Sequence, residues 1–105
     1  MLKLTASDAL RHLAETKTDF ARLIEKDIFD VSLYKPDKTD PQTPHARDEL
    51  YVIASGSGQF RCAGEVEAFG TGDVLFVAAG VEHRFENFTD DFSAWVVFFG
   101  PRPAR

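Results

Sequence analysis

Two histidines and one glutamate are the side chains of this chain whose types and spacing best suit chemistry. His45 and Glu49 are four residues apart, and His83 lies in a later segment that has the pattern of a strand. On an extended chain an even spacing places both side chains on one face, because successive residues alternate. Two imidazoles and one carboxylate bind a borderline divalent metal and leave coordination positions free for water or substrate. The trio predicts a metal site if the three side chains meet.

Each member of the trio also has an ordinary structural explanation. A histidine that faces a protein interior can be satisfied by a hydrogen-bonding neighbour instead of a metal. Glu49 could instead form an ion pair with Arg47 or Arg84. Arg47 is interpreted as a solvated arginine, with an anionic substrate as the alternative partner. His12, in a predicted helix, is interpreted as a surface residue.

A helix followed by short strands must position these residues. Residues 5–16 form the predicted helix, with Thr5 or Ser7 as its cap, and residues 20–100 form the predicted β-barrel. The segment 35–44 holds three prolines and predicts an irregular connection that leads to His45. Strands at even spacing with no helix between them favour an antiparallel sandwich or barrel. The strands are predicted at 20–25, 28–34, 50–54, 59–62, 65–69, 74–77, 83–88 and 94–99.

Length and composition limit the classes of function. A chain of 105 residues is expected to be one domain, with 101–105 as a short tail. The net charge of -5 argues against nucleic acid or an anionic membrane surface as a partner. No apolar run reaches the roughly 18 residues of a membrane span, and no apolar signal region begins the chain. Because the lone Cys62 cannot form an internal disulfide, we expect a cytoplasmic protein.

Two motifs in this order resemble those of the cupin family. Residues 43–56 are similar to its first motif, in which His-x-His is followed by three or four residues, Glu, six residues and Gly. Residues 72–87, with Gly at the start, Gly80, His83 and a final Asn, are similar to the second motif. The resemblance covers roughly residues 28–101. It implies an all-β fold, with a six-stranded antiparallel barrel or jelly-roll core that is usually dimeric and binds a metal inside.

Carried over residue by residue, the resemblance implies metal ligands at His45, Glu49 and His83. Thr43 stands where the family has its first histidine, and a threonine hydroxyl is a poor ligand for a transition metal. Gln42 lies close enough in sequence to supply an oxygen ligand or a supporting hydrogen bond. The metal implied is iron, manganese, zinc or nickel, held by three protein ligands with open positions.

Further residues are expected to line a cavity around this metal. Tyr51 and Ile53 share the face of Glu49 by strand alternation, and Phe85 shares the face of His83. The full predicted lining is Gln42, Thr43, Tyr51, Ile53, Phe76, Phe85 and Trp95.

Three functions are compatible with these residues. The first is a metal-dependent enzyme that acts on a small organic molecule, with the dioxygenase or isomerase chemistry that the resemblance implies, although no general base is evident. The second is a non-catalytic module that binds a small ligand or a metal for sensing. The third is a structural cupin whose site has degenerated at Thr43. The resemblance also implies a homodimer, with the N-terminal helix and the C-terminal strand as the expected contact surfaces.

Overall fold

A helix and eight strands make up the described part of the chain, which a computed structural model covers from residue 1 to residue 101. The helix is α1 (Ala6–Thr16). The strands are β1 (Phe20–Glu25), β2 (Phe29–Tyr34), β3 (Asp48–Ser55), β4 (Ser57–Cys62), β5 (Glu65–Gly70), β6 (Val74–Val77), β7 (His83–Glu86) and β8 (Ser93–Phe99). Apart from Pro101, the tail predicted for residues 101–105 lies outside the described residues.

The strands form two antiparallel sheets. One sheet has the order β1-β2-β8-β3-β6, and the other has the order β5-β4-β7. This mostly β fold with one N-terminal helix confirms the predicted fold class. Residues 1–101 contain eight strands, five in one sheet and three in the other, whereas the resemblance implied a core of six strands. Because β3 lies between β6 and β8, Glu49 is placed opposite both Val77 and Phe98.

Aromatic rings fill the space between the two sheets. The Phe85 ring lies at the centre, with its centroid 4.8 Å from that of Phe60, 4.8 Å from that of Tyr51 and 4.7 Å from that of Phe92. Tilted and edge-on aromatic pairs at these distances are favourable beyond the apolar area that they bury. The phenylalanine-rich composition therefore builds a densely packed wall behind Tyr51, whose hydroxyl reaches the predicted site.

Helix α1 covers part of the outer face of the larger sheet. It begins at the cap Thr5, whose hydroxyl accepts a hydrogen bond from the Asp8 amide at 3.1 Å. Its buried residues Ala9 and Leu13 pack with a second apolar cluster, which contains Ala21, Leu33 and, at its edge, Trp95. Within the described residues, no helix is long and apolar enough to cross a membrane.

Gly56, the last residue of the first motif, is required by the backbone. Its φ of +84° lies in the left-handed region, and a Cβ there would lie 2.6 Å from the Cα of Phe92. Any side chain would therefore push apart β3 and the loop that precedes β8. The glycine of this motif therefore fixes the end of the strand that carries Glu49.

Candidate metal centre

The predicted trio comes from three different parts of the fold. Glu49 is the second residue of β3 in the larger sheet, and His83 is the first residue of β7 in the smaller sheet. His45 lies in the irregular connection that precedes β3, where its carbonyl accepts a hydrogen bond from the Gly80 amide at 2.7 Å. That bond ties the two motifs to each other, so both sheets contribute to one site.

The three side chains meet inside the protein. Oε1 of Glu49 lies 3.0 Å from Nε2 of His83 and 4.0 Å from Nε2 of His45. One ligand atom from each residue can be chosen so that all lie within 4.8 Å of one another. Donors that share a cation on bonds of about 2.0–2.2 Å lie at most about 4.4 Å apart, so small side-chain shifts would bring all three into contact with one ion.

Glu49 shows why a cation fits here. Its side chain is 1 % exposed, and its Oε2 atom has no hydrogen-bond partner among the described residues. Within residues 1–101 its ionic contacts are to His45 and His83. A buried carboxylate is costly unless it is paired and hydrogen-bonded, and an orphaned oxygen increases that cost. A divalent cation at this position would satisfy the carboxylate.

His83 presents the correct ring nitrogen to the site. Its Nδ1–H donates to the Val81 carbonyl at 2.9 Å, so Nε2 is left to face Glu49 and the Tyr51 hydroxyl. A backbone bond of this kind fixes the tautomer of metal-binding histidines. Burial lowers the pKa of His83, but the bonds to Glu49 and Val81 and the nearby carboxylates outweigh it and raise the pKa overall. The same negative surroundings would favour a metal ion.

Tyr51 is a hydrogen-bond donor beside the ligand atoms. Its hydroxyl lies 2.9 Å from Nε2 of His83 and 3.2 Å from Oε1 of Gln42. Burial, followed by the negative charge of Glu49, raises the pKa of Tyr51. In this arrangement the hydroxyl acts as a hydrogen-bond donor to the Gln42 amide oxygen.

Asp40 is a site residue that the sequence analysis missed. It is buried in the segment interpreted only as an irregular connection, and its carboxylate accepts four hydrogen bonds. The donors are the Tyr34 hydroxyl at 2.6 Å, the backbone amide of Phe85 at 2.9 Å, and both the backbone amide and Nε2 of Gln42 at 3.1 and 3.0 Å. No spacing or motif distinguished it from the other aspartates near the prolines.

The prediction that Arg47 or Arg84 pairs with Glu49 is wrong, because Arg47 binds other partners and Arg84 is exposed. Arg47 is buried, not solvated, because Nη1 donates to Asp30 at 2.8 Å while Nε and Nη2 donate to the Gly100 carbonyl. Arg84 is exposed, since it alternates with the buried His83 on β7. Arg47 thus ties the start of β3 to the end of β8, and it does not face a substrate.

Four residues of the predicted lining lie inward. Gln42 and Tyr51 contact ligand atoms directly, through bonds to His45 and His83. Ile53 and Phe85 are fully buried in the aromatic core and lie on the same sheet faces as Glu49 and His83. They support Tyr51 more than they line open space.

Three residues of the predicted lining lie elsewhere. Phe76 is 59 % exposed, because its strand neighbours Leu75 and Val77 take the inward positions of β6. Trp95 points out of the barrel and packs near α1, since Ala94 and Val96 fill the interior face of β8. The Thr43 side chain is exposed, so the position of the family's first histidine faces away from the site.

A cavity of about 330 Å³ opens beside the candidate ligands. His45 and Gln42 form the part nearest to the site, and His45 is itself partly exposed. The remaining lining is formed by Asp19, Phe20, Arg22, Tyr34, Pro41 and Phe98. A small molecule of aromatic or sugar size could therefore reach His45 and Gln42 from this side, whereas Glu49 and His83 are buried and do not line the cavity.

Two antiparallel sheets that enclose a His-Glu-His cluster define a small double-stranded β-helix protein with a candidate metal centre. The family model "Cupin domain" matches residues 31–99, and the chain belongs to this family. It is also 40 % identical over 73 residues to the protein SCO3923 of Streptomyces coelicolor, covering 68 % of this chain and 70 % of that one.

Solved structures share the fold. Protein NMB1881 from Neisseria meningitidis matches with a TM-score of 0.68 at 20 % identity, over 94 % of this chain and 100 % of its own. A Cupin 2 conserved barrel domain protein from Salinispora arenicola matches with a TM-score of 0.64 at 23 % identity, over 76 % of this chain and 73 % of its own. These likenesses establish the architecture and carry no activity across.

Proposed function

We propose that this chain binds one divalent transition metal through His45, Glu49 and His83 and uses it to hold a small organic molecule. The observation that carries the proposal is the buried Glu49 carboxylate with its orphaned Oε2, set between two imidazoles. The donor set of two nitrogens and one carboxylate suits iron, manganese, zinc or nickel.

The second half of the proposal rests on the cavity beside His45. It borders His45, one of the three candidate ligands, and its walls include the aromatic rings of Phe20, Tyr34 and Phe98. Pockets with mostly apolar walls and a few convergent polar groups are typical of small-molecule sites. When bound, the metal supplies a Lewis acid that polarises a carbonyl or carboxylate oxygen of such a molecule.

The protein groups favour binding and polarisation over proton abstraction. Tyr51 donates a hydrogen bond to Gln42 beside the ligand atoms, while Glu49 is committed to the site as a ligand. Dioxygenase- or isomerase-type turnover is the catalytic form of this proposal, and in the isomerase case water or a group of the substrate would carry the proton. Its non-catalytic form is a module that binds a small ligand or metal, for example for sensing, without converting the ligand.

Metal content tests the proposal directly. Protein purified without chelator should contain about one transition metal ion per chain, because the buried carboxylate needs a cation. Elemental analysis by plasma mass spectrometry measures it, followed by reconstitution with iron(II), manganese(II), zinc(II) and nickel(II). Protein that is purified without metal and takes up none of the four would refute the proposal. The metal-loaded protein is then incubated with small acids, phenols and sugars. Conversion of any of them would indicate an enzyme, and binding without conversion would indicate a binding module.

We also propose that the chain forms a homodimer through the uncovered outer face of the larger sheet. On β6 and β3, Phe76 pairs with Leu50 and Val74 pairs with Val52, so their side chains share one face. Val97 of β8 continues the apolar strip beside Leu50. Val74 and Phe76 are more than half exposed, and α1 covers a different part of this face. A contiguous exposed apolar strip of this kind is typical of an interface, and a second copy of the chain fits it.

A charge placed in this strip should separate the subunits. Phe76→Lys is expected to shift the mass measured by light scattering from dimer to monomer at micromolar concentration, because the lysine would be buried in the interface. The matched control is Val66→Lys, which changes an exposed valine on β5 in the other sheet and should leave the mass unchanged. A monomeric native protein, or a dimer that persists in Phe76→Lys, contradicts the proposed surface.

A further inference from the structure

The Gln42 side-chain amide has a fixed orientation at the edge of the metal centre. Its Nε2 lies 3.0 Å from Oδ2 of Asp40, and a carboxylate oxygen can only accept a hydrogen bond, so the amide nitrogen must face Asp40. The amide oxygen is thereby turned inward, 3.0 Å from Nε2 of His45 and 3.2 Å from the Tyr51 hydroxyl.

Asp40 is itself held firmly enough to impose that orientation. It is 3 % exposed, and donors from Tyr34, Phe85 and the Gln42 backbone bind its two oxygens. The Phe85 amide belongs to β7, the strand that begins at His83. The direction of the Gln42 oxygen is thus fixed relative to one of the candidate ligands.

The distances between donor atoms are consistent with Gln42 as a ligand of the same metal as His45, Glu49 and His83. Donor atoms that share one metal ion on bonds of about 2.0–2.2 Å lie at most about 4.4 Å apart. Gln42 and His45 present donor atoms 3.0 Å apart, as do Glu49 and His83. The 4.0 Å between the donor atoms of His45 and Glu49 is also within that limit.

From this geometry we propose that Oε1 of Gln42 is a fourth protein ligand of the metal and that Asp40 is the residue that positions it. The proposal rests on the proposed metal site. It also explains how the chain retains four ligands although Thr43 faces outward: the fourth ligand is an oxygen contributed by the preceding residue. An amide oxygen is neutral and harder than imidazole, so it shifts the preference of the site toward manganese(II) and iron(II).

The test compares Gln42→Ala, Gln42→Glu and the neighbouring control Thr43→Ala, with manganese(II) as the probe. Gln42→Ala is expected to bind manganese(II) about 10- to 100-fold more weakly, while Gln42→Glu keeps an oxygen donor and binds at least as tightly as the native protein. Thr43→Ala should bind with native affinity. The water-proton relaxivity of bound manganese(II) should increase in Gln42→Ala, because a water molecule takes the vacated position.

The relaxivity separates a ligand from a residue that only supports His45. Weaker binding in Gln42→Ala with unchanged relaxivity would mean that Gln42 orients His45 from outside the coordination sphere, which overturns the inference. Unchanged affinity in Gln42→Ala overturns it as well. Both results leave the metal site of His45, Glu49 and His83 intact. Failure of the native protein to bind manganese(II), iron(II), zinc(II) or nickel(II) would instead refute the proposed function.

Discussion

His83→Ala should abolish metal retention, lowering the affinity for every divalent metal by more than 100-fold. Removing a group that only orients a ligand, or a neutral amide oxygen that a water molecule can replace, should cost roughly 10- to 100-fold, and removing an imidazole ligand should cost more. Nε2 of His83 is 3.0 Å from the Glu49 carboxylate and is directed at it by the Nδ1 bond to Val81. Without this imidazole, two of the three predicted ligands remain.

The measurement is metal affinity by competition with a chromophoric chelator, together with metal content after purification. His12→Ala is the matched control, because it makes the same substitution at an exposed position of α1. Circular dichroism at matched temperatures shows whether each variant is folded. Native metal content in His83→Ala would remove this residue from the ligand set, whereas loss in both histidine variants would point to an effect unrelated to the site.

The part of the site that lies on strands could be predicted from the sequence because strand geometry is periodic. Alternation on β3 places Glu49, Tyr51 and Ile53 on one face, and all three are buried as that pattern indicates. The prediction that Phe76 faces inward is wrong, because its neighbours Leu75 and Val77 take the inward positions of β6. Both faces of β6 carry large apolar residues, so hydrophobicity alone does not reveal which face is inward.

The part of the site that lies in the connection before β3 could not be predicted in the same way. An irregular backbone has no period, so the burial of Asp40 and the outward direction of Thr43 depend on tertiary contacts. Asp40 binds an amide of β7, forty-five positions further along the chain, and such a contact leaves no local pattern. Arg47 was misjudged for the same reason, since its partners Asp30 and Gly100 come from distant segments.

Asp40→Ala should cause the largest loss of stability of any substitution considered, about 3–5 kcal/mol in the free energy of unfolding. A buried donor left without an acceptor costs about 1–3 kcal/mol, and this carboxylate satisfies the Tyr34 hydroxyl, the Phe85 amide and two donors of Gln42. Water that enters the space left by the carboxylate would bind some of these donors and offset part of the total cost. The loss is a large fraction of the roughly 5–15 kcal/mol that stabilises a typical domain.

Urea unfolding of metal-free protein measures this effect without a contribution from metal binding. Asp37→Ala is the matched control, because Asp37 lies in the same connection but is exposed, and it should change stability by less than about 0.5 kcal/mol. Asp40→Asn keeps one accepting oxygen and should fall between the two, which gives a measurable value if Asp40→Ala does not fold. Equal stability of Asp40→Ala and Asp37→Ala would show that the four hydrogen bonds contribute little. In that case Asp40 could not fix the orientation of Gln42, because hydrogen bonds that contribute almost no stability do not hold the Gln42 side-chain amide in one direction.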